Sequence, residues 1–269
     1  MKDLLLSPDE LDLIRKKIVR SIADFVQDTG AKGAVFGLSG GVDSALVGVL
    51  AKEALKNRVE ALVMPDSNVS KTEDLEHAAL LSERFEIASR VIDLKETVES
   101  VNKALPEMTL DKGDEGFHAR ANIAPRLRML FNYAAANLNN YVVLGTGNRT
   151  ELLLGYFTKN GDGGVDFLPI GSLYKTHVRQ LAKHMKIPSE IIDKPPSAGL
   201  WHGQTDEAEL GETYEILDQI LFYIYDKKIS ANETAEILCI ETERVERIIA
   251  MSVRHSHKRE VPTIVKLPE

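Results

Sequence analysis

One short stretch constrains this chain more than any other. Two glycines lie between polar residues, Ser39-Gly40-Gly41-Val42-Asp43-Ser44, directly after the apolar run 33–38. The run is short, uncharged and β-prone, which predicts a buried parallel strand, and residues 45–52 have the composition of a helix packed on a sheet. A strand, a tight turn and a helix form a phosphate-binding geometry, because backbone N–H groups and the positive end of the helix dipole meet at the turn.

The residue types in the turn fit phosphate binding. Gly40 and Gly41 lack a Cβ and let a phosphate approach the backbone, while Ser39 and Ser44 add hydroxyl donors. The carboxylate of Asp43 makes sense beside phosphates when a cation such as Mg²⁺ lies between them. The stretch lacks the terminal lysine of the common nucleotide-binding loop and the three spaced glycines of the dinucleotide fingerprint. A plain glycine turn closing a strand–helix unit is the structural alternative.

Length and composition set the class of protein. The 269 residues, 43% hydrophobic and 28% charged, suit a soluble globular protein with one large α/β domain or with a domain and an appended helical part. A net charge of −8 argues against a large nucleic-acid surface. The lone Cys239 cannot form an internal disulfide, and we see no membrane-spanning run and no signal peptide. We therefore expect a cytoplasmic enzyme that binds neither nucleic acid nor membranes.

Helical and strand patterns alternate along the chain. Ser7 and Pro8 mark the start of a first helix that runs to about Asp28. After the first strand we expect a strand at 59–65, a helix at 71–85, a strand at 90–94, a helix at 119–139 interrupted at Pro125, and a strand at 141–147. This order predicts an α/β fold, a Rossmann-like doubly wound parallel sheet. Residues near Met64, at the carboxyl end of the second strand, are candidates for an adenine pocket.

The C-terminal part reads as helices. Residues 207–225 form one helical pattern, and two shorter ones follow, the last running to about His255. That pair has the outline of a helix-turn-helix, but Glu241, Glu243 and Glu246 would place acids where DNA phosphates must be contacted. We favour a helical cap on the sheet. One domain, 1–269, would then comprise a sheet core at about 30–185 and a helical part at about 206–258.

A second cluster identifies a family. The segments 144–151 (Leu-Gly-Thr-Gly-Asn-Arg-Thr-Glu) and 155–169 (beginning Gly-Tyr-Phe-Thr-Lys), with the phosphate loop, closely resemble the ammonia-dependent NAD synthetases, a branch of the N-type ATP pyrophosphatases. Matches at 126–129, 173–176, 206–211 and 257–259 extend the resemblance over almost the whole chain. It implies an adenine nucleotide alpha hydrolase-like fold. It also implies amidation of nicotinic acid adenine dinucleotide (deamido-NAD) to NAD with ATP, Mg²⁺ and ammonia, through an acyl-adenylate that releases AMP and pyrophosphate.

The resemblance also assigns roles to residues. ATP would be bound by Gly37, Leu38, Ser39, Gly40, Gly41, Val42, Asp43, Ser44, Thr146, Lys175 and Ser197. Asp43 and Lys175 would be catalytic, and Asp43 and Glu151 would hold Mg²⁺. Deamido-NAD would be held at the interface of a homodimer by Arg126, Lys159, Asp166, His257 and Lys258. Adenylation develops charge on phosphate oxygens, which cationic groups and N–H donors stabilise. Taken alone, each of these residues also has an ordinary explanation as a surface charge or a turn hydroxyl.

Two segments are expected to be flexible. Residues 106–117 form a polar connector, and residues 201–206 look exposed. We hypothesise that residues 200–206 form a lid that orders over the adenylate and excludes water, whereas the plain alternative is a helix N-terminus at Asp206 and Glu207. Glutamine-using relatives carry an extra amidase domain with a Cys nucleophile. The synthetase pattern here starts within the first residues, so we predict free ammonia as the nitrogen donor.

Two other functions compete with this interpretation. Another amide-forming or thiolating ATP pyrophosphatase, such as the synthetase part of a GMP synthetase or a tRNA-thiolating enzyme, would share the phosphate loop. The stretch 155–159 and the lack of paired cysteines argue against both. A catalytically silent nucleotide-binding module is the alternative from a different class, and the presence of Asp43, Glu151 and Lys175 argues against it.

Overall fold

A computed structural model describes residues 2–106, 113–201 and 203–265. Its strands are β1 (Gly33–Gly37), β2 (Val59–Val63), β3 (Ala88–Val91) and β4 (Tyr141–Leu144), and they form one parallel sheet in the order β3-β2-β1-β4. The chain moves outward from β1 to β3 and then returns to the other side of β1. The carboxyl ends of β1 and β4 therefore flank the point where strand order reverses, which is where open α/β sheets bind ligands.

Helices connect and cover these strands. They are α1 (Pro8–Asp28), α2 (Val42–Leu55), α3 (Thr72–Arg84), α4 (Lys95–Ala104), α5 (Gly113–Ala121), α6 (Ile123–Asn139), α7 (Arg149–Leu154), α8 (Lys175–His184), α9 (Ser189–Ile192), α10 (Asp206–Leu210), α11 (Tyr214–Leu221), α12 (Ala231–Leu238) and α13 (Thr242–Arg254). Single 3₁₀ turns lie at Lys2–Leu4 and Ser256–Lys258, and a π-helical segment lies at Phe222–Asp226. No helix in the described ranges is long and apolar enough to cross a membrane.

Strand β1 is buried on both faces, as its uncharged sequence predicts. Ala34 and Phe36 pack into a core with α1, α2 and α8, whereas Val35 packs with Ala135 of α6 on the opposite face. Helices on both faces of a parallel sheet confirm the doubly wound α/β fold. At the sheet edge, β3 is exposed along its whole length.

The C-terminal helices form a separate core beside the sheet. Tyr214 and Leu217 of α11 pack there with Val245 and Ile248 of α13, and Leu154 of α7 joins them. This core is important for the site because its helix α11 packs against α7 and α8, the helices that carry Glu151 and Lys175.

The boundaries differ from the predicted ones in informative places. The first helix has the predicted bounds, with a capping box between Ser7 and Glu10. The predicted helix 119–139 is two helices that break at Asn122, and Pro125 lies in the first turn of α6, where its missing N–H leaves no hydrogen bond broken. Residues 113–117, predicted as part of a connector, begin α5, while residues 107–112 of that connector lie outside the described residues.

Candidate active site

The two serines of the phosphate loop, residues 39–44, form hydrogen bonds within the loop. The hydroxyls of Ser39 and Ser44 share a hydrogen bond of 3.0 Å, and Ser44 Oγ also donates to Gly41 O at 3.0 Å. Gly40 has a φ of +79°, and a Cβ there would lie 2.3 Å from Asp74 O, so glycine is required. Helix α2 starts after Gly41 with no side-chain cap. Its first N–H groups and positive dipole end are therefore available to an anion, as predicted.

A buried lysine lies against the carboxylate of this loop. Lys175, the first residue of α8, is 3% exposed, and its Nζ donates to Asp43 Oδ2 and lies 3.7 Å from Glu151 Oε1. Burial alone would lower the pKa of Lys175, but the charges of Asp43 and Glu151 outweigh it and raise the pKa to about 12. Burial and the nearby Asp43 charge raise the pKa of Glu151 well above its ordinary value. The fold thus brings the three predicted residues, separated by up to 132 positions, to one point.

Asn148 fixes the geometry around these charges. Its Nδ2 donates to Asp43 Oδ1 at 2.9 Å, and its Oδ1 accepts from Glu151 N at 3.0 Å. Glu151 Oε2 in turn accepts from Asn148 N at 3.1 Å, which completes a capping box at the start of α7. One residue therefore bonds both carboxylates predicted to bind Mg²⁺, that of Asp43 through its side chain and that of Glu151 through its backbone N–H.

Helix α11 packs behind the residues that line the site. Lys175 Nζ lies 5.0 Å from the ring centroid of Tyr214, within the range of a cation–π contact. The Tyr214 hydroxyl donates to Asp206 Oδ2 at 2.9 Å. One turn further along the same helix, the fully buried Asp218 accepts hydrogen bonds from both Thr150 and Thr176. Thr150 directly precedes Glu151 in the sequence, and Thr176 directly follows Lys175.

A cleft of about 500 Å³ opens at this edge of the sheet. Met64 lines it, and Gly40, which is buried against the backbone of Asp74, does not. The other residues predicted to bind ATP all line the cleft: Gly37, Leu38, Ser39, Gly41, Val42, Asp43, Ser44, Thr146, Lys175 and Ser197. Glu151 lines it too. The structure therefore gathers the predicted nucleotide and metal residues around one cavity.

Most residues predicted to hold deamido-NAD lie away from that cleft. Arg126 is exposed on α6, and Lys159 Nζ donates to His257 O at 2.8 Å. Asp166 accepts from Tyr133 Oη at 2.9 Å and from Val143 N at 2.8 Å, so its carboxylate closes the edge of β4. Of this predicted set, Lys258 lines the cleft.

The basic C-terminal segment contacts the end of α7. Lys258 Nζ donates to Gly155 O at 2.7 Å and to Phe157 O at 2.9 Å, and Arg259 donates to Leu153 O at 2.7 Å. Cations at a helix C-terminus stabilise its unpaired carbonyls. The segment thus fastens the short helix that carries Glu151.

The segment predicted to be exposed is folded against the cleft. Gln204 is 4% exposed, and its side chain accepts from Leu200 N at 2.7 Å and donates to Glu209 at 2.8 Å. Ser197 Oγ donates to Gln204 O at 2.8 Å, and the Trp201 ring packs edge-on against Phe117. The prediction that residues 201–206 are exposed is therefore wrong for Gln204 and Asp206, which are both buried. His202 lies outside the described residues.

Comparisons with known proteins agree on one family. A family model described as NAD synthase matches residues 14–262. The chain belongs to the NAD synthase family. It is 45% identical over 257 residues to the NH(3)-dependent NAD(+) synthetase of Hyperthermus butylicus, an alignment that covers 94% of this chain and 91% of that protein.

Solved structures of NAD synthase relatives match nearly the whole chain. The NH3-dependent NAD synthetase from Campylobacter jejuni, in complex with the nitrate ion, has 30% identity and a TM-score of 0.79, covering 95% of this chain and 99% of that one. A structure of NMN synthetase from Francisella tularensis has 34% identity and a TM-score of 0.81, covering 98% and 100%. These likenesses support the predicted resemblance and the Rossmann-like fold.

The two carboxylates of this site suit a Mg²⁺ ion that is shared with a nucleotide. Among the described residues, no group of three or more His, Cys, Asp or Glu side chains is arranged to hold a metal ion. Mg²⁺ at nucleotide sites is commonly held by one or two carboxylates together with substrate phosphates and water. Asp43 and Glu151 meet that requirement beside the phosphate loop.

Sequence reasoning missed the residues that support the site. Asn148 carries a readable signal, because an Asn three residues before a Glu is a capping-box pattern. Asp218 carries a weaker sequence signal, because it is an acidic residue between the apolar residues Leu217 and Leu221 of a helix. Tyr214 reads as an ordinary core aromatic, and only the fold places Lys175 above its ring.

Proposed function

We propose that this chain catalyses the ATP-dependent amidation of deamido-NAD to NAD with ammonia. The observation that carries the proposal is the contact of Lys175 Nζ with Asp43 at the phosphate loop, with Glu151 beside it, in a member of the NAD synthase family. A buried cation and open helix N–H groups suit a reaction that develops charge on phosphate oxygens. The relatives named NH(3)-dependent NAD(+) synthetases support ammonia as the nitrogen donor.

The proposed reaction has two steps. The nicotinate carboxylate attacks the α-phosphorus of ATP, the bond to the β-phosphate oxygen breaks, and pyrophosphate leaves. Ammonia then attacks the carbonyl carbon of the acyl-adenylate, AMP leaves with one former carboxylate oxygen, and a proton is released. Lys175 and the first N–H groups of α2 stabilise the phosphate charge in the first step.

Mg²⁺ would be held by Asp43 and Glu151. When bound, it supplies charge neutralisation at the phosphate oxygens. Asn148 donates to both carboxylates, through its side chain to Asp43 and through its backbone N–H to Glu151, and Lys175 balances their charge. Thr146 and Ser197 of the cleft would contact ATP.

The dinucleotide is proposed to bind where two copies of the chain meet. Arg126, Lys159, Asp166 and His257 lie outside the cleft, which fits a second surface for the substrate. Leu130 and Leu138 on α6 are 54% and 80% exposed, and with Arg126 they repeat at helical spacing along one side of this helix. An exposed apolar stripe beside a predicted substrate residue supports a homodimer.

Two further proposals concern access and location. Residues 200–206 would act as a lid that orders over the adenylate, and equal protection of this segment from proteolysis with and without both substrates would contradict it. The enzyme would work in the cytoplasm, where an exposed free thiol such as Cys239 stays reduced.

A coupled assay tests the proposed function. Purified protein, ATP, Mg²⁺ and ammonium are supplied with deamido-NAD or, in a parallel reaction, with nicotinic acid mononucleotide, because one similar structure is named an NMN synthetase. We expect ammonium-dependent NAD from the dinucleotide at a much higher kcat/KM than product from the mononucleotide. The reverse preference would reassign the substrate, and efficient turnover with glutamine in place of ammonium would overturn the nitrogen donor.

A further inference from the structure

The carboxylate of Asp218 lies outside the cleft and accepts hydrogen bonds from the residues next to Glu151 and Lys175 in the sequence. Asp218 of α11 is fully buried, and its Oδ1 accepts from Thr150 Oγ1 at 2.5 Å. Its Oδ2 accepts from the backbone N and the hydroxyl of Thr176, each at 2.6 Å. Thr150 directly precedes Glu151, and Thr176 directly follows Lys175.

Asp218 also does the work of a missing helix cap. Tyr174, the N-cap residue of α8, makes no side-chain capping hydrogen bond. The second N–H of this helix is satisfied by Asp218 instead, and an anion there is favoured by the helix dipole. Lys175 is the first residue of α8, so the position of this helix end determines where the lysine side chain leaves the backbone.

The two threonines link α7 to α8 through the same carboxylate. Thr150 Oγ1 donates to Asp218 and accepts from Lys175 N at 3.1 Å. The start of α7, which carries Glu151, and the start of α8, which carries Lys175, are therefore held in one hydrogen-bonded group. A shift of either helix must break a buried hydrogen bond, and such a bond is costly to lose.

We propose that Asp218 is a positioning residue for the adenylation step, acting through Thr150 and Thr176 to hold Glu151 and Lys175 in register across the cleft. The proposal rests on the proposed function for the identity of the reaction. Tyr214 lies four residues earlier on the same side of α11, and its ring centroid is 5.0 Å from Lys175 Nζ, so this helix also contacts the lysine side chain directly.

The test compares Asp218→Leu with Leu217→Ala, a change of a fully buried neighbour on α11 that belongs to the C-terminal core. Both variants lose packing or hydrogen bonds, and both are expected to have a lower Tm. We expect kcat of Asp218→Leu to fall 10- to 100-fold with the KM for ATP changed less than threefold, because misplacement by about 1 Å can cost that much. Leu217→Ala is expected to keep kcat within twofold below its Tm.

A second variant and a second readout complete the experiment. Thr150→Val removes the link to Asp218 with little change in volume, and it decides the question if Asp218→Leu does not fold. Crystal structures give a readout independent of turnover. Lys175 Nζ should leave hydrogen-bond distance of Asp43 in Asp218→Leu or Thr150→Val and stay there in Leu217→Ala. Unchanged kcat and Lys175 position in the folded variants, or an equal kcat loss in Leu217→Ala, would overturn the proposal, whereas an inactive wild type would count against the proposed function alone.

Discussion

Asn148 Nδ2 donates a 2.9 Å hydrogen bond to Asp43 Oδ1 and so joins the phosphate loop to the first turn of α7. The two residues are 105 positions apart in the sequence and follow β4 and β1, the strands on either side of the reversal in strand order. The same side chain caps the helix that carries Glu151. This contact makes the site one unit rather than two adjacent loops.

The Asn148 contact can be separated from its capping role. Asn148→Ala should lower the free energy of unfolding by about 1 kcal/mol through loss of the cap and reduce kcat at least tenfold through the freed Asp43. Ser230→Ala is the matched control, because Ser230 and Glu233 form the same capping box at α12. The control should lose similar stability and keep its activity, as measured by denaturant unfolding and the NAD assay. Equal kcat losses in both would show that activity merely follows stability.

Removing the buried charge should affect catalysis most. Lys175→Met keeps the length of the side chain but takes away the cation beside Asp43 and Glu151, and we expect kcat to fall by about 10²- to 10³-fold. Lys183→Met, an exposed change on the same helix, should keep kcat within twofold. Steady-state kinetics with a circular dichroism check of folding measures both. A Lys175→Met variant as active as the control would exclude the lysine from the reaction.

Glycine is required at position 40 both by its positive φ and by the closeness of Asp74 O, and the two causes can be measured separately. Gly30 and Gly40 both have positive φ, but a Cβ at Gly30 meets nothing within 4 Å, whereas at Gly40 it meets Asp74 O. Gly30→Ala should cost about 1–2 kcal/mol from backbone strain alone. Gly40→Ala should cost more and raise the KM for ATP, because the loop must move. Equal unfolding free energies and an unchanged KM would show that the loop tolerates a side chain.

One ion pair should make stability depend on acid pH. The Glu212 side chain, 7% exposed, accepts from Arg244 Nε at 2.7 Å and from Arg244 Nη2 at 2.6 Å, and this pairing lowers the pKa of Glu212. A carboxyl whose folded pKa lies below its unfolded value stabilises the fold above the unfolded pKa and loses that contribution as pH falls through the folded pKa.

Glu212→Gln should therefore lower the unfolding free energy at pH 7 by about 1 kcal/mol, with the difference from wild type shrinking as the pH falls below about 4.3, the ordinary pKa of glutamate. Glu246→Gln, an exposed change on α13, should show little difference at either pH. Denaturant unfolding between pH 3 and pH 7 gives the comparison. A difference that persists undiminished at pH 3 would contradict the assigned charge pairing.

The apolar stripe on α6 predicts the oligomeric state. If two copies meet there, replacing both Leu130 and Leu138 with Glu should convert a dimer to a monomer and raise the KM for deamido-NAD, since charges would be buried without partners. Glu substitution of Leu13, which is 67% exposed on α1, is the control. Light scattering after gel filtration measures the mass. A wild-type monomer at micromolar concentration would contradict the homodimer.

Local signals made the loop at residues 39–44 predictable. The glycines, the preceding apolar strand and the following helix lie within 20 residues, so Gly40, Asp43 and the buried β1 follow from backbone conformation and burial alone. The first helix was equally accessible, because its cap and its apolar spacing are both local.

The support of the site depends on contacts distant in sequence. Asp218 meets Thr150 across 68 residues, and no local pattern states which buried partner an acid will find. The predicted helix 207–225 is broken at Gly211, whose positive φ ends α10. That break allows Tyr214 to start a new helix beneath Lys175, an arrangement decided by packing of the C-terminal core.

The most direct test of the account follows one oxygen atom. Deamido-NAD labelled with ¹⁸O in the nicotinate carboxylate is converted with ATP and ammonium, and the products are analysed by mass spectrometry. If the carboxylate is activated by adenylate transfer at the Asp43–Lys175 site, AMP will carry one ¹⁸O for each NAD formed, pyrophosphate will carry none, and Lys175→Met will lose label transfer and NAD together. Label in phosphate with formation of ADP, or NAD formed with unlabelled AMP, would contradict the central claim.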